Sequence, residues 1–222
     1  MKTPLNPAGP RPGVTPEMVV RVRAVELHGF TSTRHFDRVA AAHGFTDAAS
    51  FERYLTALLV EAGIDYEGLR QTEAARRGVQ QRLVAKAARG PRVMLWSAAT
   101  MTTFTICRAD GQVLWRDLFP SGTVLGTGAD AAEASARQAI WIAGQARTQW
   151  GADAATLHLI LARSRGVDLE NLHRAATTAG LVLDVITDPV HNPAAEQCNR
   201  PDALDWHTTV LGALLYPHRA SA

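Results

Sequence analysis

The chain has only two cysteines, Cys107 and Cys198, which is too few for a disulfide framework and gives no metal-binding spacing. We expect both to be free thiols. The sequence also lacks any run of about 18 apolar residues, so no membrane-spanning helix is predicted. No apolar segment follows the single Lys2 of the N-terminus, so no secretory signal is predicted either. We therefore expect a cytoplasmic protein.

Net charge is nearly absent, because 23 Lys and Arg against 21 Asp and Glu give +2. Its distribution along the chain is uneven. Residues 1–92 carry 14 basic against 9 acidic side chains, whereas residues 93–222 carry 9 against 12. A basic segment beside a mildly acidic one is typical of nucleic-acid contact through the first, or of electrostatic packing of one segment on the other. Both interpretations stay open at this stage.

The composition is that of an ordinary globular protein, with 46% hydrophobic and 20% charged residues. Four of the eleven prolines precede Thr15, so we predict a flexible tail over residues 1–16. The pattern then predicts a basic helical region over residues 17–90, which Gly90-Pro91 ends, and one α/β domain over residues 91–222.

The helical region begins with Thr15-Pro16-Glu17, a capping hydroxyl followed by proline and an acid, which predicts a helix running to about Leu27. The segment His28-Gly29-Phe30-Thr31 is echoed by His43-Gly44-Phe45-Thr46. Each copy predicts a glycine helix stop, a threonine cap and a new helix.

The second copy, from Val39-Ala40 through Gly44-Phe45 to Arg53, resembles the second helix-turn-helix of AraC-type regulators. The resemblance implies a DNA-reading helix that starts near Asp47, with Ser50 and Arg53 facing a groove. After Arg53 the pattern departs from the family, since Gly63 comes later and lacks the usual Thr-Pro after it. The alternative interpretation is that Gly44-Phe45 turns the chain and the phenylalanines are core.

A last helix, from about Tyr66 to Ala88, is rich in basic side chains and thin in apolar ones. Clustered arginines release counterions from a nucleic-acid backbone, which favours phosphate contact; the alternative is a solvated charged face. The candidate nucleic-acid contacts are Arg53 together with Arg70, Arg76, Arg77, Arg82, Lys86 and Arg89.

The α/β part opens with three short strands in succession, which predict an antiparallel meander. A capping box at Asp130-x-x-Glu133 predicts a long helix to about Trp150. A strand, a second helix, a fifth strand and a final helix from Pro201 to Tyr216 follow. The predicted strands are 93–98, 103–108, 113–119, 156–162 and 181–187, and the predicted second helix is 167–179.

This order of elements resembles the ribonuclease H-like fold over roughly residues 92–216. Shorter echoes are Asp110-Gly111 at the first hairpin, Ala132-Glu133 opening the long helix, and Asn192 with Ala195-Glu196 after the fifth strand. The resemblance implies a five-stranded mixed sheet with helices, preceded here by a small all-α region. The family joins three antiparallel strands to two parallel ones by right-handed crossovers.

The resemblance also implies carboxylates on the first strand, the first helix, the end of the fourth strand and the last helix, which together hold two divalent metals. Here the first strand has no acid, and the fourth strand ends with Arg163 and Arg165. Glu133 and Asp202 or Asp205 are the acids left at matching places, and Glu133 has the alternative role of a capping acid. Glu133 and Asp205 are the weak catalytic candidates, and no metal or cofactor is predicted.

Other features have competing interpretations. A glycine-rich loop before the long helix is a candidate anion-binding site, although it lacks the lysine of a P-loop and is otherwise a flexible connection. Its candidate residues are Gly122, Thr123, Gly126, Thr127 and Gly128. A less regular metal candidate is formed by Asp184, Asp188, His191 and Asn192, with His207 one helix away, and Asp188-Pro189 also predicts a simple turn. Trp141 and Trp150 are candidates for a partner surface, or for core.

These patterns favour a non-enzymatic protein that binds DNA or RNA through its arginines, with a catalytically degenerate ribonuclease H-like domain used for binding or assembly. One alternative is a metal-dependent nuclease with a displaced site. Another is an interaction or homo-oligomerisation module, in which the basic helix packs on an acidic surface of the same or a neighbouring chain.

Overall fold

The computed structural model describes residues 13–217, so most of the predicted flexible tail, residues 1–12, lies outside the described residues. The chain divides into two units, one up to Val79 and one from Gln80, which we call the helical unit and the α/β unit. The division falls within a long helix. No helix between residues 13 and 217 is long and apolar enough to cross a membrane.

The first unit is all-helical, as predicted. Thr15 caps the first helix by accepting a hydrogen bond from the backbone of Met18, but the predicted helix to Leu27 is interrupted at Arg23. Asp47, rather than the predicted Thr46, caps the fourth helix. The helices are α1 Pro16–Val22, α2 Ala24–His28, α3 Thr33–Ala42, α4 Ala48–Ala62 and α5 Tyr66–Ala87.

An aromatic core holds these helices together. Phe36, Phe45 and Tyr54 are each at most 1% exposed, and they belong to one cluster of buried apolar side chains. Tyr66, at the start of α5, packs edge-on against Phe36. The interpretation of Phe36 and Phe45 as core is therefore confirmed, and Phe51 is partly buried against the same cluster.

The second unit is built on a six-stranded mixed sheet, one strand more than predicted. β1 Arg92–Ala99 pairs antiparallel with β2 and parallel with β4, and the strand order is β3-β2-β1-β4-β5. A short β6, Leu215–Tyr216, pairs with the start of β1. The other strands are β2 Thr103–Arg108, β3 Val113–Leu118, β4 Ala155–Leu161 and β5 Leu181–Thr187.

Helices cover both faces of this sheet. On one face α6, Gly128–Trp150, and α7, Leu169–Thr178, bury a core of leucine, isoleucine and alanine side chains from the strands and from α6. On the other face the short α8, Pro193–Gln197, packs on β1 and β2 over both cysteines. Both thiols are free and buried, and burial raises their pKa.

The predicted final helix from Pro201 to Tyr216 is wrong. This segment contains two short 3-10 turns, Trp206–Thr208 and Leu211–Leu214, and then β6. Buried Arg116 of β3 ties the segment to the sheet: its guanidinium donates to the backbone oxygen of Asp202 at 2.6 Å and pairs with the Asp202 carboxylate. Such side-chain contacts take the place of the periodic hydrogen bonds of a helix.

Candidate nucleic-acid interface

The carboxyl ends of β1 and β4 meet the start of α6 around a cavity of about 150 Å³. Two buried serines lie where β1 and α6 face each other. The Ser135 hydroxyl donates to the backbone oxygen of Ala98 at 3.0 Å and lies 2.7 Å from the Ser97 hydroxyl, which must therefore be the donor to Ser135. Since each hydroxyl has one hydrogen, this pair is satisfied without any ligand.

Arg163, at the end of β4, lines the same cavity. Its guanidinium lies against Gly128, where an added Cβ would come within 2.8 Å of it. Arg163 has no hydrogen-bond or ion-pair partner within residues 13–217. The Arg163 cation repels a divalent metal, and the two hydroxyls are neutral and already engaged, so these residues do not fit a two-metal centre. No group of three or more His, Cys, Asp or Glu side chains in the described chain is arranged to hold a metal.

The two weak catalytic candidates do not line this cavity. Glu133 accepts hydrogen bonds from the side chain of Asn171 at 2.6 Å and from the backbone of Asp168 at 3.2 Å. It therefore fastens the start of α7 to α6. Asp205 accepts from the backbone of His207 and pairs with its imidazole at the first 3-10 turn.

The glycine-rich loop before α6 already contains an anionic partner. The predicted capping box is displaced by three residues: Thr127 and Asp130 form it, rather than Asp130 and Glu133. The Asp130 carboxylate accepts from the backbone amides of Gly126 and Thr127 at 3.0 and 2.8 Å, and Thr123 turns back to Pro120. A phosphate would have to displace this carboxylate. Gly122 and Gly128 complete the predicted set, and Gly128 is the residue that Arg163 contacts.

The residues of the metal candidate at the end of β5 form a turn. The Asp188 carboxylate accepts from the backbone amides of Val190 and His191, which lowers its pKa. Asp184 instead lies 3.0 Å from the His158 ring on the neighbouring strand. The turn interpretation of Asp188-Pro189 accounts for these contacts.

Most arginines near the start of the chain are paired with acids. Arg53, a candidate for DNA contact, pairs with Glu17 at 2.9 Å, and the Ser50 hydroxyl bonds to Asp47. Arg70 pairs with Glu67 at 2.9 Å. Exposed pairs of this kind are weak, but they neutralise the charge that a phosphate would meet.

The second half of α5 is different, because no acid follows Glu73 along the helix. Arg76 and Arg77 are exposed, and Arg77 interacts with Glu73. The side chains of Arg82 and Arg89 are exposed and have no partner among the described residues, and the Lys86 side chain makes only an exposed 3.3 Å pair with Asp153.

Arg82 and Lys86 stand one turn apart on the same face of α5, and Arg89 follows in the turn after the helix ends at Ala87. We call them the basic stripe. Leu83 and Ala87 on the adjoining face are buried against Ala154, which holds this half of the helix on the α/β unit.

A groove of about 650 Å³ adjoins the end of the stripe, between α5 and the loop after α6. Lys86 and Arg89 line one side, and Trp150, which is 45% exposed, lines the other. Asp153 is the only acid in its lining within residues 13–217. The sequence pointed to Trp150 as a partner surface, but its nearness to the basic stripe depends on the fold.

Family models, curated proteins and solved structures were compared with this chain, and none of them matches it.

Proposed function

We propose that this protein binds nucleic acid through the basic stripe, and that its α/β unit is a ribonuclease H-like scaffold that binds without cleaving. The observation that carries the proposal is the exposed row of Arg82, Lys86 and Arg89, two of which have no acidic partner among the described residues. An unpaired surface arginine can bind a phosphate at little cost in free energy, because no ion pair must first be broken.

The topology of the sheet supports the ribonuclease H-like part of the proposal. A three-stranded antiparallel meander, β1 to β3, is joined to two parallel strands, β4 and β5, on the other side of β1. This is the arrangement that the family resemblance implies. The serine pair and Arg163, at the edge where that family would hold its metals, argue for binding rather than metal-dependent hydrolysis.

The test is a binding titration with a labelled 20-mer, offered as single strand and as duplex. We expect Arg82→Glu and Arg89→Glu each to weaken binding about ten-fold or more, because each replaces a phosphate contact by a repulsion. Arg200→Glu is the matched control: the Arg200 side chain is exposed, has no partner within residues 13–217, and gives the same change in net charge. Equal binding by the stripe variants and the control would overturn the proposal.

A further inference from the structure

A second groove, of about 560 Å³, lies between α6 and α7 on the α/β unit. We call it the α6–α7 groove. Its floor is apolar, with Ile140 from α6 and Ala175 from α7, and its walls carry long polar side chains. Its volume lies within the range of about 300–1,000 Å³ that is usual for pockets holding one small ligand.

All the charged side chains that line this groove are positive. Arg137, Arg147 and Arg174 line it, and none of its lining residues is an acid. Arg147 is occupied, since it donates to the backbone oxygens of Ala179 and Ala152.

The other two arginines are available. Arg137 has no hydrogen-bond or ion-pair partner in the described chain, and Arg174 makes only an exposed 3.5 Å contact with Glu170. The groove therefore presents two guanidinium groups to an anion at little cost in broken contacts.

An aromatic ring stands beside these charges. Trp141 is 42% exposed although it belongs to the long central helix, and it lies one turn from Arg137 on the same helix face. Trp206 packs edge-on against it with ring centroids 5.2 Å apart, and Trp115 lies 6.1 Å away. These neighbours hold the indole in place, so little side-chain entropy is lost when a planar ligand stacks on it.

We propose that the α6–α7 groove binds single-stranded nucleic acid, with an unpaired base stacked on Trp141 and flanking phosphates on Arg137 and Arg174. An aromatic platform next to paired cations is the combination by which proteins hold single strands. A duplex keeps its base faces stacked inside the helix, so it cannot offer them to Trp141. The inference rests on the proposed function and gives this groove, in addition to the basic stripe, a preference for unpaired strands.

The test uses the full-length protein and four fluorescein-labelled 15-mers: oligo-dT, oligo-rU, an abasic strand with the same phosphates, and a duplex. We expect Arg137→Glu and Arg174→Glu each to weaken oligo-dT binding about ten-fold, with Arg200→Glu again the matched control. Trp141→Leu should weaken oligo-dT binding about five-fold or more, yet leave the abasic strand unchanged. Similar losses with oligo-rU would show that the groove accepts both sugars.

Arg137 is exposed and unpartnered within the described residues, so its substitution tests the inference even if Trp141→Leu disturbs the neighbouring tryptophans. The inference is overturned if Arg137→Glu binds oligo-dT as tightly as Arg200→Glu does, whether or not the groove then proves to bind a protein. It is also overturned if Trp141→Leu weakens the abasic strand equally.

The two proposals fail separately. If Arg82→Glu weakens binding and the groove variants do not, the groove inference falls and the basic stripe stands. If the wild-type protein binds none of the four probes at low salt, both fall.

Discussion

The buried hydrogen-bonded pair of Ser97 and Ser135 gives the sharpest prediction about the edge of the sheet where β1 meets α6. Ser135→Ala removes the hydrogen bond to the Ala98 carbonyl and leaves the Ser97 hydroxyl without its acceptor. We expect this change to lower the free energy of unfolding of the α/β unit by about 2 kcal/mol. Ser97→Ala leaves the Ser135–Ala98 bond intact, so we expect a loss of about 1 kcal/mol.

The double variant should lose about 2 kcal/mol, less than the sum of the single losses, because the unsatisfied Ser97 hydroxyl is then gone. Tryptophan fluorescence during urea unfolding measures this, since all five tryptophans lie in the α/β unit. Strictly additive losses, or no loss in Ser135→Ala, would refute the hydrogen-bonded pair. A rise in the unfolding midpoint of the wild type with Mg²⁺ that Ser97→Ala abolishes would instead identify a metal site at this edge.

Two further predictions concern the helical unit. The buried Tyr54 hydroxyl has no hydrogen-bond partner between residues 13 and 217, and burial raises the pKa of this side chain. Tyr54→Phe should therefore stabilise the helical unit by about 1 kcal/mol, measured by a circular-dichroism melt. A destabilised variant would contradict this prediction. The Glu73 carboxylate accepts from the Thr33 hydroxyl at 2.7 Å and its backbone amide at 2.9 Å, contacts that lower the pKa of Glu73 and cap α3. The stabilisation by the Glu73 carboxylate is full above about pH 4.3, its pKa in the unfolded chain. This stabilisation is lost as the pH falls through the lower pKa that Glu73 has in the folded protein. Glu73→Gln should therefore cost about 1 kcal/mol at pH 7 and nothing at pH 2, and an equal cost at both values would refute the role of the charge.

The sequence predicted the strands well because each carries its own signal. Alternating or continuous apolar residues between turn residues located β1 to β5 to within one residue at each end. β6 was missed because two residues, Leu215 and Tyr216, carry no periodicity, and their pairing with β1 is a long-range contact.

The ends of several helices were harder to predict. Thr127-x-x-Asp130 and Asp130-x-x-Glu133 have the same spacing, and the choice between them depends on Asn171, which engages Glu133 from another helix. The interruption between α1 and α2 at Arg23 could not be predicted, because no glycine or proline stands there. After Pro201, the backbone oxygen of Asp202 accepts from Arg116, a partner far away in the sequence.

The sequence identified many of the basic residues of the candidate sites, but not which side chains lie next to them in the fold. The arginines of α5 were all named, yet which of them stay unpaired depends on Glu17, Glu67, Glu73 and Asp153, whose positions follow from the fold. Arg137 and Arg174 lie 37 residues apart and carried no signal, because the groove exists only where α6 packs beside α7.

The most direct test of the central claim is the salt dependence of binding by the wild-type protein. If the three side chains of the basic stripe each neutralise one phosphate, the slope of log K against log salt should be about −2.7 on duplex and at least as steep as about −2 on a single strand. Duplex affinity should then fall about forty-fold between 50 and 200 mM salt. A slope near zero, or no binding to either probe at 50 mM salt, would contradict nucleic-acid binding through this surface.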